Sequence, residues 1–260
     1  MAVILATRSR AARVAEWRAQ ARLRATLGAS FATKMTMELR RAGREAAEGF
    51  VAGRDQGLDL ALAGHNARLR ELLAAEHRRT LNLFGERVLD AAKDAGLILE
   101  TKDARSFFSQ AVERWIAGFG AQKVVQIGAT TRRQIRQAIA AGEAEGEGIA
   151  AIAKRIRDKT GGTIGRVRAL VIARTEVHTA SQAAAEQAQK ALDLPFKREW
   201  IAAQDERTRD SHVSADGQVA AQGSLFQVGE AFLDYPGDPS GPPGEVINCR
   251  CITALVIGDE

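Results

Sequence analysis

The chain is short of the residues that interrupt helices. None of its five prolines (Pro195, Pro236, Pro239, Pro242, Pro243) precedes residue 195. Proline removes a helix hydrogen bond and clashes with the preceding turn, so the first 194 residues are free to run as long helices. Cysteine is scarce as well: two thiols in 260 residues cannot build a disulfide framework, and cytosolic folding is the expectation. No apolar stretch approaches the roughly 18 residues a membrane helix needs. Residues 2–6 and 169–173 are among the longest, and an Arg follows each within two positions. The first ten residues have neither the basic flank nor the apolar length of a secretory signal. Aromatic residues are 5% of the chain, too few for a platform on which bases stack.

What is present is the balance of a folded protein, 45% hydrophobic and 27% charged. The charge is unevenly spread. Residues 191–260 hold 5 basic and 12 acidic side chains, and the preceding 190 hold 32 and 20. A basic body therefore leads into an acidic, proline-bearing end. The expected fold is a mainly α N-terminal helical region with a small α+β C-terminal domain.

Ala, Arg, Glu, Leu and Gln dominate the body, all good helix formers. Gly28 and Ser30 predict a break between a helix over 2–27 and a second one, and Gly53 and Gly57 predict another. A long helix is expected over 66–95, with Gly96 as its stop, followed by one capped by Thr101 or Asp103. The Gly128–Thr131 segment predicts a turn before a short basic helix over 132–141, and 142–148 a linker. Helices over 149–160 and 163–192 follow, separated by Gly161 and Gly162. Beyond Pro195 the pattern predicts a strand over 197–203 and a turn into a short helix at 205–212. A loop over 234–244 and a β-leaning run over 245–257 complete the chain.

The last long helix is where pattern and chemistry disagree. Its expected apolar stripe runs Val167, Leu170, Val171, Arg174, Val177, His178, Ser181, Ala184, Ala185, Ala188, and Arg174 and His178 interrupt it one turn apart. A buried guanidinium needs a carboxylate or several carbonyls, and the acidic end offers Asp205, Asp210, Asp216 and Asp238. Arg174 is thus expected to dock the acidic end onto this helix. The bland alternative is an Arg that reaches the stripe's edge and meets water.

Cys249-Arg250-Cys251 would, in a strand, project both thiols from one face. Two thiolates and an imidazole can hold zinc, with His212 as third ligand and His178, Asp210, Asp238 or water as fourth. The alternative is a pair of reduced cysteines packed as small hydrophobes. With neither a Gly-x-Ser-x-Gly elbow nor a His-Glu-x-x-His pair, a catalytic role for His212 is disfavoured. His65 and His77 lie in helical sequence with no evident chemistry. Basic clusters at Arg40, Arg41, Arg44, at Arg132, Arg133, Arg136 and at Lys154, Arg155, Arg157, Lys159 suit phosphate contact or a solvated face paired with local carboxylates.

Ile172-Ala-Arg-Thr-Glu176 (including Arg174 and Thr175), Trp200, Asp205-Glu-Arg-Thr-Arg209, His212, Asp216-Gly217, Gly237-Asp238-Pro239 and Ile247-Asn-Cys-Arg-Cys251 (including Asn248 and Arg250) occur in that order. Together they resemble the phage head morphogenesis domain of Mu F-like minor head proteins. The resemblance divides the chain into a variable helical region, 1–125, and the morphogenesis domain, 126–260, with its acidic α+β lobe over 195–260. It implies a structural, non-enzymatic protein of a tailed-phage, prophage or phage-like head. Such a protein associates with the portal protein and other head proteins and is found in the virion after assembly in the host cytoplasm. It also implies that Arg174, Glu176, His212, Cys249, Arg250 and Cys251 hold the domain together, with zinc as the candidate ion. Contact with packaged double-stranded DNA, through Arg132, Arg133, Arg136, Lys154, Arg155, Arg157 and Lys159, is compatible with the basic body. No membrane partner is expected. The runner-up is a zinc-dependent hydrolase or nuclease, or an effector packaged in the head.

Overall fold

A computed structural model describes residues 9–97, 102–192, 196–203 and 205–256. The element order is α1 (Arg10–Asp94), α2 (Lys102–Trp115), a π-helical turn (Ile116–Gly120), α3 (Ala121–Ala144), α4 (Ile149–Gly161), α5 (Thr163–Leu192), β1 (Lys197–Ile201), α6 (Asp210–Ala215), β2 (Val219–Ala221), β3 (Phe226–Val228), β4 (Ala231–Leu233), α7 (Pro243–Val246) and β5 (Ile252–Val256). The protein is thus mainly helical, with a small region of antiparallel strands and short helices at its end. No helix among the described residues is long and apolar enough to cross a membrane.

The long run α1 is two arms, 10–52 and 55–94, meeting where Gly53 (φ −147°) and Arg54 (φ 50°) leave helical geometry. The arms turn back on each other. A Cβ on Gly57 would lie 2.1 Å from the Gly49 carbonyl oxygen, so only glycine permits this approach. Farther out, Glu45 meets Arg68 at 2.6 Å, Glu38 meets His65 at 2.8 Å, and Lys34 meets Glu76. The expected break at Gly28 is absent: the first arm runs through it, with Phe31, Met35 and Leu39 buried beyond. Burial at helical spacing outweighs the roughly 1 kcal/mol that an internal glycine costs. Gly57 likewise lies inside a helix. The turn expected at 128–131 is also absent, because α3 is continuous from Ala121 to Ala144. Gly128 serves proximity there: a Cβ would come within 2.3 Å of Asn66 Oδ1. The expected linker shrinks to 145–148, with Gly146 at φ 69°. Residues 2–8 and Thr101 lie outside the described residues.

Two compact units emerge, each assembled from separate stretches of chain: 28–76 with 116–173, and 1–27 with 77–115 and 174–260. Position 125/126 falls inside α3. The first unit centres on Ala46, Ala47, Phe50, Leu58, Leu62, Ile135, Ala138, Ile152, Ala153 and Ile156. The expected stripe of α5 fails in this part of the chain, where Val167 and Leu170 are exposed and Ala169 and Ala173 are buried instead.

In the second unit β1 is the middle strand of a sheet ordered β2-β1-β5, with Trp200 opposite Thr253 and Ile201 opposite Ile252. Alternation sends Arg198 and Trp200 to one face. Trp200 packs there with Phe226, Val228 and Leu233 of the β3–β4 hairpin and with both cysteines. Ile201, Ile252 and Ala254 pack with Trp17 of α1, and Arg13 reaches Glu199 at 3.2 Å. Each face is therefore covered by different parts of the unit.

Candidate functional site

The C-terminal half of α5 is the axis on which the lobe sits. Thr175, Thr179, Gln182, Glu186 and Gln189 follow one another at spacings of four and three, which keeps them on one face, and all five are buried. Each is engaged by the lobe or its entry. Thr175 Oγ1 accepts from the Asn248 amide at 3.2 Å. Thr179 Oγ1 donates to the Gly237 carbonyl at 2.8 Å, and Gln182 Oε1 accepts from the Thr253 amide at 2.8 Å. Glu186 Oε2 accepts from Arg198 at 2.6 Å, and Gln189 donates to the Phe196 carbonyl at 3.3 Å.

Arg174 takes no part in this. It is exposed and has neither a hydrogen bond nor an ion pair among the described residues, which corrects its expected role as the docking group. The docking ion pair has the opposite polarity: the helix supplies Glu186 and the lobe supplies Arg198. Arg198, 1% exposed, also bonds Asp234 Oδ1 at 3.0 Å and the carbonyls of Asp234, Ala221 and Ser224, and lies over the Phe226 ring. A guanidinium's five donors let it be buried only when most are answered. Neither Arg198 nor Glu186 stood out in the sequence, because an isolated Arg in a strand and a Glu in a helix are ordinary.

The remaining motif residues hold the lobe's turns. Asp216 Oδ1 accepts from the Ala202 amide and from Arg13, both at 2.8 Å, and Gly217 (φ 80°) donates to the Trp200 carbonyl. Asp238 accepts from the Asp234 amide and from Ser240. The preceding Gly237 (φ 79°) lies against His178, where a Cβ would fall 2.7 Å from Cδ2. Burial, with Arg24 and His212 nearby, holds the His178 pKa well below its ordinary value, so it is a neutral wall. Glu176 pairs with His77 at 3.1 Å, and both are buried. Asp205 takes a two-pronged contact from Arg250, which pulls its pKa down to about 2. Arg209 donates to the Ile247 carbonyl at 2.6 Å.

These turns converge on one cluster. The two cysteines do not lie in a strand as expected; they lie in the irregular segment that enters β5. Alternation still applies, with both thiols buried and Arg250 directed out to Asp205. Asn248, in the left-handed region (φ 57°) that Asn tolerates, sets the direction of this segment. His212 Nδ1 stands 3.2 Å from Cys251 Sγ and 3.7 Å from Cys249 Sγ. Its Nε2 stands 2.9 Å from Glu245 Oε2, which also accepts from Ser211. Trp200 meets the imidazole edge-on at 5.7 Å. A hydrogen bond from Cys249, joined by His212, draws the Cys251 thiol down to about 5, while burial and the neighbouring sulfur push Cys249 up. The set suits a borderline-soft cation, and the three donor atoms lie within 4.8 Å of one another. Asp210 and Asp238 are not among these donors. Glu245, in the short helix α7, was missed in sequence, where it opens the expected β-leaning run over 245–257 as an ordinary carboxylate.

Residues 133–254 match the family described as Phage Mu protein F like protein. That match, over just under half of the chain, supports a Mu F-like phage head morphogenesis domain there. The chain is also similar to the NAD(+)--arginine ADP-ribosyltransferase EFV of Enterococcus faecalis, 33% identical over 122 residues. That similarity covers 44% of this chain and 23% of the relative. No solved structure matches. The Mu F-like stretch includes both the buried face of α5 and the His212, Cys249, Cys251 cluster.

Proposed function

We propose that the protein is a minor structural component of a tailed-phage head that joins the portal vertex during assembly and touches packaged DNA. The match of residues 133–254 carries this reading, and its mechanism is binding rather than catalysis. Co-expression with portal and capsid proteins tests it. The chain is expected to co-sediment with the portal ring and to enter particles in few copies. A chain that does neither ends the proposal.

The charges bear on the DNA contact. Arg132, Arg136, Lys154 and Arg155 have carboxylates within 4.0 Å. Arg133, Arg157 and Lys159 have no ion pair among the described residues. Three uncommitted cations neutralise about three phosphates, so log affinity should fall against log salt with a slope of about −3, without sequence preference. A flat salt dependence removes DNA from the proposal.

A head-packaged effector is the second reading, favoured by the similarity to an ADP-ribosyltransferase. Transfer of ADP-ribose from NAD to an arginine-rich acceptor by this chain would replace the structural reading. Zinc-dependent hydrolysis is less well supported. The cavity beside His212 and Cys251 is about 10 Å³, whereas a substrate pocket is on the order of 300 Å³ or more.

A further inference from the structure

We propose that His212 Nδ1, Cys249 Sγ and Cys251 Sγ bind one zinc ion that staples the lobe, with Glu245 as the positioning residue that orients the imidazole and one water as fourth ligand. Tetrahedral bonds of about 2.0 Å to nitrogen and 2.3 Å to sulfur set such ligands about 3.5 Å apart. The observed separations from Nδ1, 3.2 and 3.7 Å, bracket that value. The outer nitrogen is the second, independent observation. Nε2 lies 2.9 Å from Glu245 Oε2, so a proton held there leaves the Nδ1 lone pair facing both sulfurs. This carboxylate–imidazole–metal relay is what fixes the tautomer in zinc sites.

The surroundings fit a structural ion. His212, Cys249 and Cys251 are 2%, 4% and 1% exposed, so the thiolates are shielded from oxidants. The cavity of about 10 Å³, bordered by His212, Cys251, Asn248 and Arg250, holds about one water. That supplies the fourth ligand and a route of entry, with no room for a substrate. The ion would tie α6 to the segment entering β5. The lobe's apolar core is small, and a bound metal adds its binding free energy directly to folding. Both sulfurs stand within 3.7 Å of the same Nδ1, so one ion can engage all three groups.

The full chain, purified without added metal, is expected to contain one zinc per molecule by elemental analysis and to melt lower after chelation. Cobalt added to the stripped chain should give thiolate-to-metal charge-transfer absorption, a readout that needs no variant. Glu245→Gln should keep the fold and weaken zinc binding 10- to 100-fold. Cys249→Ser and Cys251→Ser should each abolish it. A stripped wild-type chain that takes up neither zinc nor cobalt, with an unchanged melting temperature, would falsify the proposal, and would leave the head assignment untouched because no step rests on it.

Discussion

The two compact units stay folded by different means. In 28–76 with 116–173 the main apolar cluster is Ala, Leu, Ile and Phe at helical spacing, and apart from the buried His65–Glu38 pair several charged groups pair across exposed surfaces, as Arg132 and Asp59 do. In the unit holding the lobe, the buried surface of α5 sets a row of Thr, Gln and Glu beside its alanines, and the most enclosed arginine is Arg198. Apolar packing is non-directional and tolerates substitutions of similar size. A buried polar face fixes one register and one partner, and each member left alone is costly. Away from its buried His65–Glu38 pair, the helical unit is therefore expected to absorb charge changes, and the lobe to fail at single atoms.

The sharpest way to break this contrast is Glu186→Ala. It strips the main carboxylate from a guanidinium 1% exposed, and breaking a buried pair from one side costs about 3–5 kcal/mol. Asp59→Asn in the other unit, which removes a half-exposed partner of Arg132, should cost about 0–1 kcal/mol. Urea midpoints of both variants measure the difference. Equal losses would mean that Asp234 suffices for Arg198 and that the contrast is false. Next in size is Gly57→Ala, whose new methyl meets the Gly49 carbonyl. Overpacking of this kind costs about 1–3 kcal/mol, partly offset by better helix propensity. A variant as stable as wild type would show that the arms separate freely.

The same contrast explains what the sequence reveals. Leu58, Leu62, Ile152 and Ile156 announce the helical unit because burial and hydrophobicity coincide there. The ends of α4 and the start of α5 are legible from Gly161 and Gly162. Gly28 and Gly128 mislead because a glycine needed for close approach, or merely tolerated, looks the same as one that ends a helix. In the lobe the cysteines, His212 and the Asp-Gly turn stand out as residue types. Thr175, Gln182, Glu186 and Arg198 do not: their burial depends on partners far along the chain. Arg174 drew attention as the one charge on an apparent stripe, yet the stripe itself is absent where Val167 and Leu170 face solvent. A periodicity argument reads apolar faces, and this docking face is polar.

A smaller effect is expected at Asn248. Its left-handed backbone (φ 57°) aims the cysteine segment, and its amide reaches Thr175. Asn248→Ala should cost about 1 kcal/mol, the penalty for a Cβ residue in that region, whereas Asn248→Gly should be nearly neutral. Thermal midpoints of the two variants check it. Equal destabilisation by both would move the cause from backbone strain to the lost side chain.

The smallest expected effect concerns a partly exposed clamp of the lobe. Arg250 lowers the Asp205 pKa from 3.8 to about 2, so the carboxylate holds its charge more strongly in the folded state than in the unfolded one. A depressed folded value contributes stability above the unfolded pKa, and that contribution is lost as pH falls toward the folded one. The stability difference between wild type and Asp205→Asn should therefore be constant above about pH 5 and shrink between about pH 4 and pH 2. Because both side chains are about one-third exposed, solvent screening keeps the difference below about 1 kcal/mol. Denaturation of the pair of proteins across this range provides the measurement. A difference that persists unchanged at the acid end would assign it to the Asp205 hydrogen bond with the Arg207 amide, which an asparagine reproduces less well, and not to charge. A difference well above that size would make this surface contact as decisive as the buried ones, and the contrast between directional burial and screened pairing would no longer hold within the lobe.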